Sequence, residues 1–299
     1  MSHLRYARTI MEDVSLMNIL INGILMGYET KAFVFDWSLI GRHSNVFIDT
    51  YNLEDAKTLL QLSLIVTNTN FANIPLNAPD WLQDIPISYD VCPLKIISEG
   101  IPNSNINRPA ILAHVLYSER ANIVFIVFSG TVNACMAGLD LDYGQIEFDG
   151  ILNYQPGIKG HKGIYTAYQS IRSELIKNIM PFINNQAKLI ITGHSLGAGL
   201  SNICALDLAY YNPLHYTFAS PLIFNPLGTD VFNKLVHKSY RIANLSDLVA
   251  LSPLPIMPNK DVFCHVGTPV LFQRNTGEYV DNHSTAYIIE YDIPYIKSD

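Results

Sequence analysis

The chain has 299 residues, of which 49% are hydrophobic and 15% are charged, and its formal net charge is −7. This composition is typical of a globular protein rather than a disordered one, and the length suits one α/β domain. An acidic chain without a basic stripe argues against nucleic-acid binding. The same charge gives no general attraction to anionic lipid, so any membrane contact would have to be apolar.

The cysteines and the N-terminal region indicate where in or outside the cell the protein is located. Cys92, Cys135, Cys204 and Cys264 show no C-x-x-C spacing, which argues against a zinc or redox site. Cys204 lies in an apolar run, so we expect a buried free thiol and few or no disulfides, which favours an intracellular location. Residues 14–28 are interrupted by polar side chains and follow an acidic pair, unlike a signal peptide, and we expect a packed amphipathic helix there.

The first half of the chain is only partly regular. We treat residues 1–50 as an N-terminal extension of undefined role and residues 51–299 as one domain. In chain order, the patterns predict a helix over 53–71, loops over 73–109, and strands over 111–117 and 123–128. The last strand is apolar at every position, which is typical of a parallel sheet covered by helices on both faces.

Helical and strand patterns then alternate. We predict helices over 163–182, 196–210 and 227–237, strands over 188–192, 216–219 and 239–243, a Pro-rich loop over 253–259, and two late strands within 262–273. Strands that alternate with helices indicate a mostly parallel central sheet flanked by helices.

The clearest chemical signal is the pentapeptide Gly193-His194-Ser195-Leu196-Gly197. It follows a predicted strand and opens a helix, which is the setting of a nucleophile elbow. Glycines on both sides leave room for the tight turn that raises the Ser195 hydroxyl above the sheet. The alternative is an ordinary Gly-rich turn between a strand and a helix.

A serine nucleophile needs a base, and in this setting the acid and then the histidine follow it along the chain. His265 and His283 both lie beyond the next strands. We predict that His283 is the base, because it lies in a C-terminal loop, whereas His265 lies in an apolar strand-like run and is interpreted as structural. The acid candidates after Ser195 are Asp207, Asp230, Asp247, Asp261 and Asp281.

Asp247 is the predicted acid, because it follows the strand at 239–243, at the carboxyl end where α/β sites gather. Asp207 falls within the helix after Ser195, and Asp281 is too close to His283 in sequence. A solvated loop aspartate or a helix cap is the alternative interpretation of Asp247.

An oxyanion hole needs two backbone donors. The amide of Leu196 should supply one, and Thr131 should supply the other, because residues 128–131 end the apolar strand with a glycine-containing turn. The alternative is a simple strand-ending turn. Triad chemistry of this kind needs no metal and no cofactor.

From about residue 53 to residue 290 the chain resembles the class 3 lipases, the group of the fungal triacylglycerol lipases. The motifs that carry the resemblance are GHSLGA at 193–198, FSGT at 128–131, HKG at 161–163, TFASP at 217–221, the N-x-x-D-x-V pattern at 244–249 and FCHVG at 263–267. The resemblance implies an α/β-hydrolase fold with a triad of Ser195, Asp247 and His283. It also implies a structural role for His265.

The chain departs from the family pattern at several positions. Ser129 stands where the family has Arg, Ala219 where it has Gly, and Ala250 where a Pro usually follows the acid. The resemblance implies a lid-like segment near 132–140, in which Ala137 occupies the position of the lid tryptophan.

The resemblance implies a lipase or esterase that hydrolyses carboxylic esters of acylglycerols through an acyl-enzyme. Two alternatives stay open: a phospholipase or diacylglycerol lipase, and a non-catalytic lipase-like binding protein. The implied partner is a lipid or ester substrate, with transient contact to a lipid interface.

Overall fold

A computed structural model describes residues 47–68, 112–119, 121–131 and 142–293. It also describes two short strands, Phe33–Val34 and Ile296–Lys297, which pair antiparallel. The predicted lid-like segment near 132–140, the loops at 73–109, residues 14–28, and Cys92 and Cys135 lie outside the described residues.

A six-stranded sheet forms the centre of the molecule. The strands, in chain order, are β1 Ala113–Ser118, β2 Ile123–Phe128, β3 Gln145–Glu147, β4 Lys159–His161, β5 Lys188–His194, β6 Leu214–Phe218, β7 Ser239–Asn244 and β8 Thr268–Phe272. Those of the central sheet lie in the spatial order β1-β2-β5-β6-β7-β8. The first pairing is antiparallel and the other four pairings within the described residues are parallel, which confirms the predicted sheet. A small antiparallel sheet joins β3 to β4.

Helices cover both faces of the sheet, as predicted for an α/β-hydrolase fold. They are α1 Leu53–Asn68, α2 Lys162–Asn184, α3 Leu196–Asp207, α4 Pro226–Leu235, α5 Tyr279–His283 and α6 Thr285–Glu290, with 3-10 turns at Ala209–Tyr211 and Val249–Leu251. Helices α2, α3 and α4 pack on one face of the sheet, and α1 and α6 pack on the other.

Strand β2 shows why its sequence is apolar throughout. Val124, Ile126 and Phe128 pack into the core under α2 and α3, whereas Phe125 and Val127 pack into the core under α1. Successive side chains of a strand point to opposite faces, so a strand with helices on both sides needs apolar residues at every position.

The structure differs from the sequence prediction near the C-terminus. Only Thr268–Phe272 forms a sheet strand there, and Val262 and Cys264 make isolated bridges to Ile256 and Phe224 instead. The prediction of two late strands was therefore wrong. Cys204 is a buried free thiol, as predicted. None of the helices within the described ranges is long and apolar enough to cross a membrane.

Candidate active site

A strained turn between β5 and α3 presents Ser195. Its backbone has φ 60° and ψ −127°, a positive φ that is costly for a residue other than glycine. The turn is held because the Ser195 amide donates to the Phe218 carbonyl at 3.0 Å. A Cβ atom on Gly193 would overlap the Gly197 carbonyl, and a Cβ atom on Gly197 would overlap the Phe128 carbonyl. The sequence requirement for glycine on both sides of Ser195 is therefore steric.

The structure brings Ser195, His283 and Asp247 together in one hydrogen-bonded chain. The Ser195 hydroxyl lies 2.7 Å from His283 Nε2, and His283 Nδ1 lies 3.0 and 2.9 Å from the two Asp247 oxygens. All three residues are buried. Asp247 accepts a hydrogen bond from the protonated Nδ1 of His283. The other ring nitrogen, Nε2, therefore has no proton and can accept a hydrogen bond from the Ser195 hydroxyl. This is the arrangement that activates a serine nucleophile.

His283 differs from the predicted placement in one respect. It is the last residue of the short helix α5 rather than part of a loop. Asn282 secures that helix, because its side-chain oxygen accepts from the Thr276 amide at 2.8 Å and from the Thr276 hydroxyl at 3.0 Å.

Tyr287 is a site residue that the sequence analysis missed. Its hydroxyl donates to Asp247 Oδ2 at 2.9 Å and accepts from the Asn244 amide at 2.9 Å. Burial, with the nearby Asp247 charge, raises the pKa of Tyr287 well above its usual value, so the phenol remains a neutral donor. The Val249 amide donates to the other Asp247 oxygen at 2.9 Å. Tyr287 lies in α6, the helix that follows the one ending at His283, and nothing in its local sequence marks it as a partner of Asp247.

Two further side chains bond to the backbone of the segment that carries the base. His194 Nε2 donates to the His283 carbonyl at 2.8 Å, and the Asn244 side-chain amide donates to the Asn282 carbonyl at 3.0 Å. Burial lowers the pKa of His194 to about 3, with a further contribution from His283. His194 is therefore neutral at ordinary pH and donates from one ring nitrogen.

Of the two predicted oxyanion residues, Leu196 belongs to the elbow and Thr131 follows a turn that packs against it. Leu196 is the first residue of α3, so the helix itself supplies no acceptor for its amide, and the positive end of the helix dipole lies there. The turn that leads to the buried Thr131 packs against the elbow, since a Cβ atom on Gly130 would lie 3.3 Å from the His194 carbonyl. Their oxyanion role stays a prediction.

The rejected candidates have other partners. Asp207 is fully buried, and its carboxylate accepts from Arg172 Nε at 2.6 Å and from the Tyr168 hydroxyl at 2.7 Å. Burial, and then the Arg241 charge, lower the pKa of His265 to about 4, while the Ala250 backbone hydrogen-bonds to its ring. These contacts agree with structural roles for both residues.

Comparison with known proteins agrees with this geometry. A family model described as Lipase (class 3) matches residues 125–257, which include the turn at 128–131, the elbow and Asp247. This part of the chain is similar to the class 3 lipases. His283 lies beyond the matched residues.

The relatives that match this chain have low sequence identity to it. The lipase of Rhizomucor miehei is 25% identical over 177 residues, which cover 56% of this chain and 47% of the relative. Phospholipase A1-II 3 of Oryza sativa subsp. japonica is 25% identical over 189 residues, which cover 53% of this chain and 44% of the relative. The chain thus spans less than half the length of these curated relatives.

A solved structure extends the likeness of fold. The mono- and diacylglycerol lipase from Aspergillus oryzae aligns with a TM-score of 0.56 at 19% identity, and the alignment covers 83% of this chain and 87% of that protein. At this identity the likeness concerns the α/β-hydrolase fold alone.

Proposed function

We propose that this chain is a class 3 lipase, a serine carboxylic ester hydrolase that acts on acylglycerol esters. One observation carries the proposal: the continuous hydrogen-bonded chain from Asp247 through His283 to Ser195. A buried serine with a base at 2.7 Å and a carboxylate behind that base is arranged for acyl transfer rather than for binding alone.

The proposed reaction has two halves. His283 accepts the proton of Ser195 as the hydroxyl oxygen attacks the ester carbonyl, and the Leu196 and Thr131 amides stabilise the oxyanion. His283 then gives that proton to the departing alcohol, which leaves an acyl-enzyme. Water attacks the acyl-enzyme through the same base, and the acid product leaves. Asp247 holds the Nδ1 tautomer throughout and stabilises the imidazolium.

Exposed apolar side chains in the same stretch of chain as the acid support a lipid substrate. Four residues in the chain that follows β7 are exposed: Leu245, Leu251, Leu254 and Ile256. Several exposed large apolar side chains within about a dozen residues are more than a soluble surface needs and favour contact with lipid or a partner. The relatives, which include a lipase and a phospholipase A1, support an ester-linked acyl chain as the group attacked.

A variant pair tests the function. Ser195→Ala should abolish hydrolysis of short- and long-chain nitrophenyl esters and labelling by a fluorophosphonate probe. Ser201→Ala is the matched control, because Ser201 is buried in the same helix and bonds to His215 and Ala198 rather than to the triad. Equal activity in wild type and Ser195→Ala would contradict the proposal, and a wild type that neither hydrolyses nor labels would favour a non-catalytic binding protein.

A lipid panel distinguishes the substrate classes. Wild type would be given triacylglycerol, diacylglycerol, monoacylglycerol and phosphatidylcholine in mixed micelles, with Ser195→Ala as the blank. We expect release of fatty acid from acylglycerols. Preferential cleavage of phosphatidylcholine would replace the acylglycerol proposal with that of a phospholipase.

A further inference from the structure

We propose that Thr67 is a positioning residue that holds the oxyanion loop, residues 128–131, in the conformation that catalysis requires. The catalytic part of this inference rests on the proposed esterase function, and the positional part does not. Thr67 lies in the last turn of α1, 63 residues before Gly130 in the chain.

The hydroxyl of Thr67 is bonded on both sides. The Gly130 amide donates to Thr67 Oγ1 at 2.8 Å, and the hydroxyl itself donates to the Ser63 carbonyl at 2.8 Å. A threonine hydroxyl has one proton to donate, so this bonding fixes its orientation toward the loop. Thr67 is buried, and a Cβ atom on Gly130 would lie 3.3 Å from its side chain. The loop is therefore held between α1 and the elbow.

A second bond ties the same loop to the same helix turn. The Ser129 hydroxyl donates to the Val66 carbonyl at 3.4 Å. That carbonyl is one of the last four of α1, which have no acceptor role within the helix. Ser129 stands where the class 3 lipases have an arginine, so in this chain a short hydroxyl on the loop meets the end of α1 directly.

The two bonds bear on the geometry of the next amide. The Gly130 amide is bonded to Thr67, so the position of the peptide that follows it, which carries the amide of Thr131, depends on this bond. An oxyanion donor acts through preorganisation, and loss of a whole donor costs about 10²–10³ in kcat. Loss of the Thr67 hydroxyl displaces a donor rather than deletes it, so we expect a fall in kcat of about tenfold.

Three variants test the role of the hydroxyl. Thr67→Val removes it with little change in shape and should lower kcat about tenfold with KM within about twofold, because the lost interaction belongs to the transition state. Thr67→Ser retains the hydroxyl and should recover kcat to within about threefold of wild type. Ser63→Ala is the matched control, because its hydroxyl, one turn earlier on α1, bonds to Leu59 and Thr192 and not to the loop.

A readout that does not depend on turnover separates this inference from the proposed function. Amide hydrogen exchange in peptides that span 128–131 should be faster in Thr67→Val than in wild type and Ser63→Ala, with melting temperatures within about 5 °C. Affinity for a boronic acid transition-state analogue should fall by the same factor as kcat.

The outcomes are distinguishable. If wild type is active but Thr67→Val keeps full kcat and wild-type exchange, the inference is wrong and the proposed function stands. If no ester is hydrolysed by wild type, the proposed function fails and the exchange measurement alone decides the positional role. Should Thr67→Val not fold, Ser129→Ala removes the second bond and is expected to increase exchange in the same peptides; unchanged exchange would then overturn the inference.

Discussion

Acid should destabilise this protein, because burial disfavours the charged form of three histidines: His194 and His215, which are buried, and His265, which is half-buried. Burial is the main cause that lowers the pKa of His194 and His215 to about 3 and that of His265 to about 4. In the unfolded chain each would have the ordinary value of about 6.5. Below pH 6.5 the unfolded state therefore binds protons that the folded state does not, and stability falls as pH falls.

The size of the effect follows from this difference. Each such histidine lowers the free energy of unfolding by about 1.4 kcal/mol for each pH unit between its unfolded and folded pKa values, so the three together give about 4 kcal/mol per unit. The loss should begin near pH 6.5 and continue to about pH 4, where His265 begins to protonate in the folded state. The loss between pH 6.5 and pH 5 is therefore about 6 kcal/mol, which is comparable to the whole stability of a domain at the lower end of the usual range of about 5–15 kcal/mol.

Urea unfolding at pH 7.0, 6.0, 5.5 and 5.0 measures this slope. His215→Asn removes one buried titrating ring, which lies between Ser201 and Ser239, and should reduce the slope by about one third while lowering stability at pH 7. His237→Asn, at an exposed position, is the control and should leave the slope unchanged. A free energy of unfolding that is constant from pH 7 to pH 5 would refute the reasoning.

Three further predictions concern single contacts. Tyr287→Phe removes a bond to the acid and should lower kcat about tenfold with unchanged KM, measured by steady-state ester hydrolysis; an unchanged kcat would show that the phenol is not needed. Asp247→Asn should lower kcat by about 10⁴ and slow fluorophosphonate labelling correspondingly, because an amide no longer holds the proton of His283 on Nδ1. Rapid labelling would contradict this. Arg172→Ala leaves the Asp207 carboxylate buried without its cation and should cost about 3–5 kcal/mol in urea unfolding, whereas a cost below 1 kcal/mol would show that water replaces the guanidinium.

The features that sequence predicts well here are local or steric. The elbow could be predicted because any side chain at position 193 or 197 would overlap neighbouring backbone atoms, so both positions require glycine. Strand β2 could be predicted because both of its faces are buried, and its residues are apolar throughout. Placement of Asp247 followed from the direction of a parallel strand, which brings its carboxyl end to the edge where sites form.

The features that sequence missed depend on distant partners. The segment Asp281-Asn282-His283 is predicted as a C-terminal loop, yet the short helix α5 forms there, with Asn282 bonded to Thr276. Residues 262–264 have an apolar strand-like pattern, but their backbone pairs with loops and not with the central sheet. Neither outcome is encoded within the segment itself.

Two separate hydrogen-bond networks position the two halves of the candidate site. Tyr287 and Asn244 join the acid to the segment that carries the base. The elbow and the oxyanion loop are instead packed against each other, and α1 holds that loop through Thr67. The halves meet where Ser195 contacts His283 Nε2 and where His194 donates to the His283 carbonyl. Changes around Tyr287 should therefore act on proton transfer, whereas changes at the end of α1 should act on stabilisation of the oxyanion, because each network orders a different set of reacting groups.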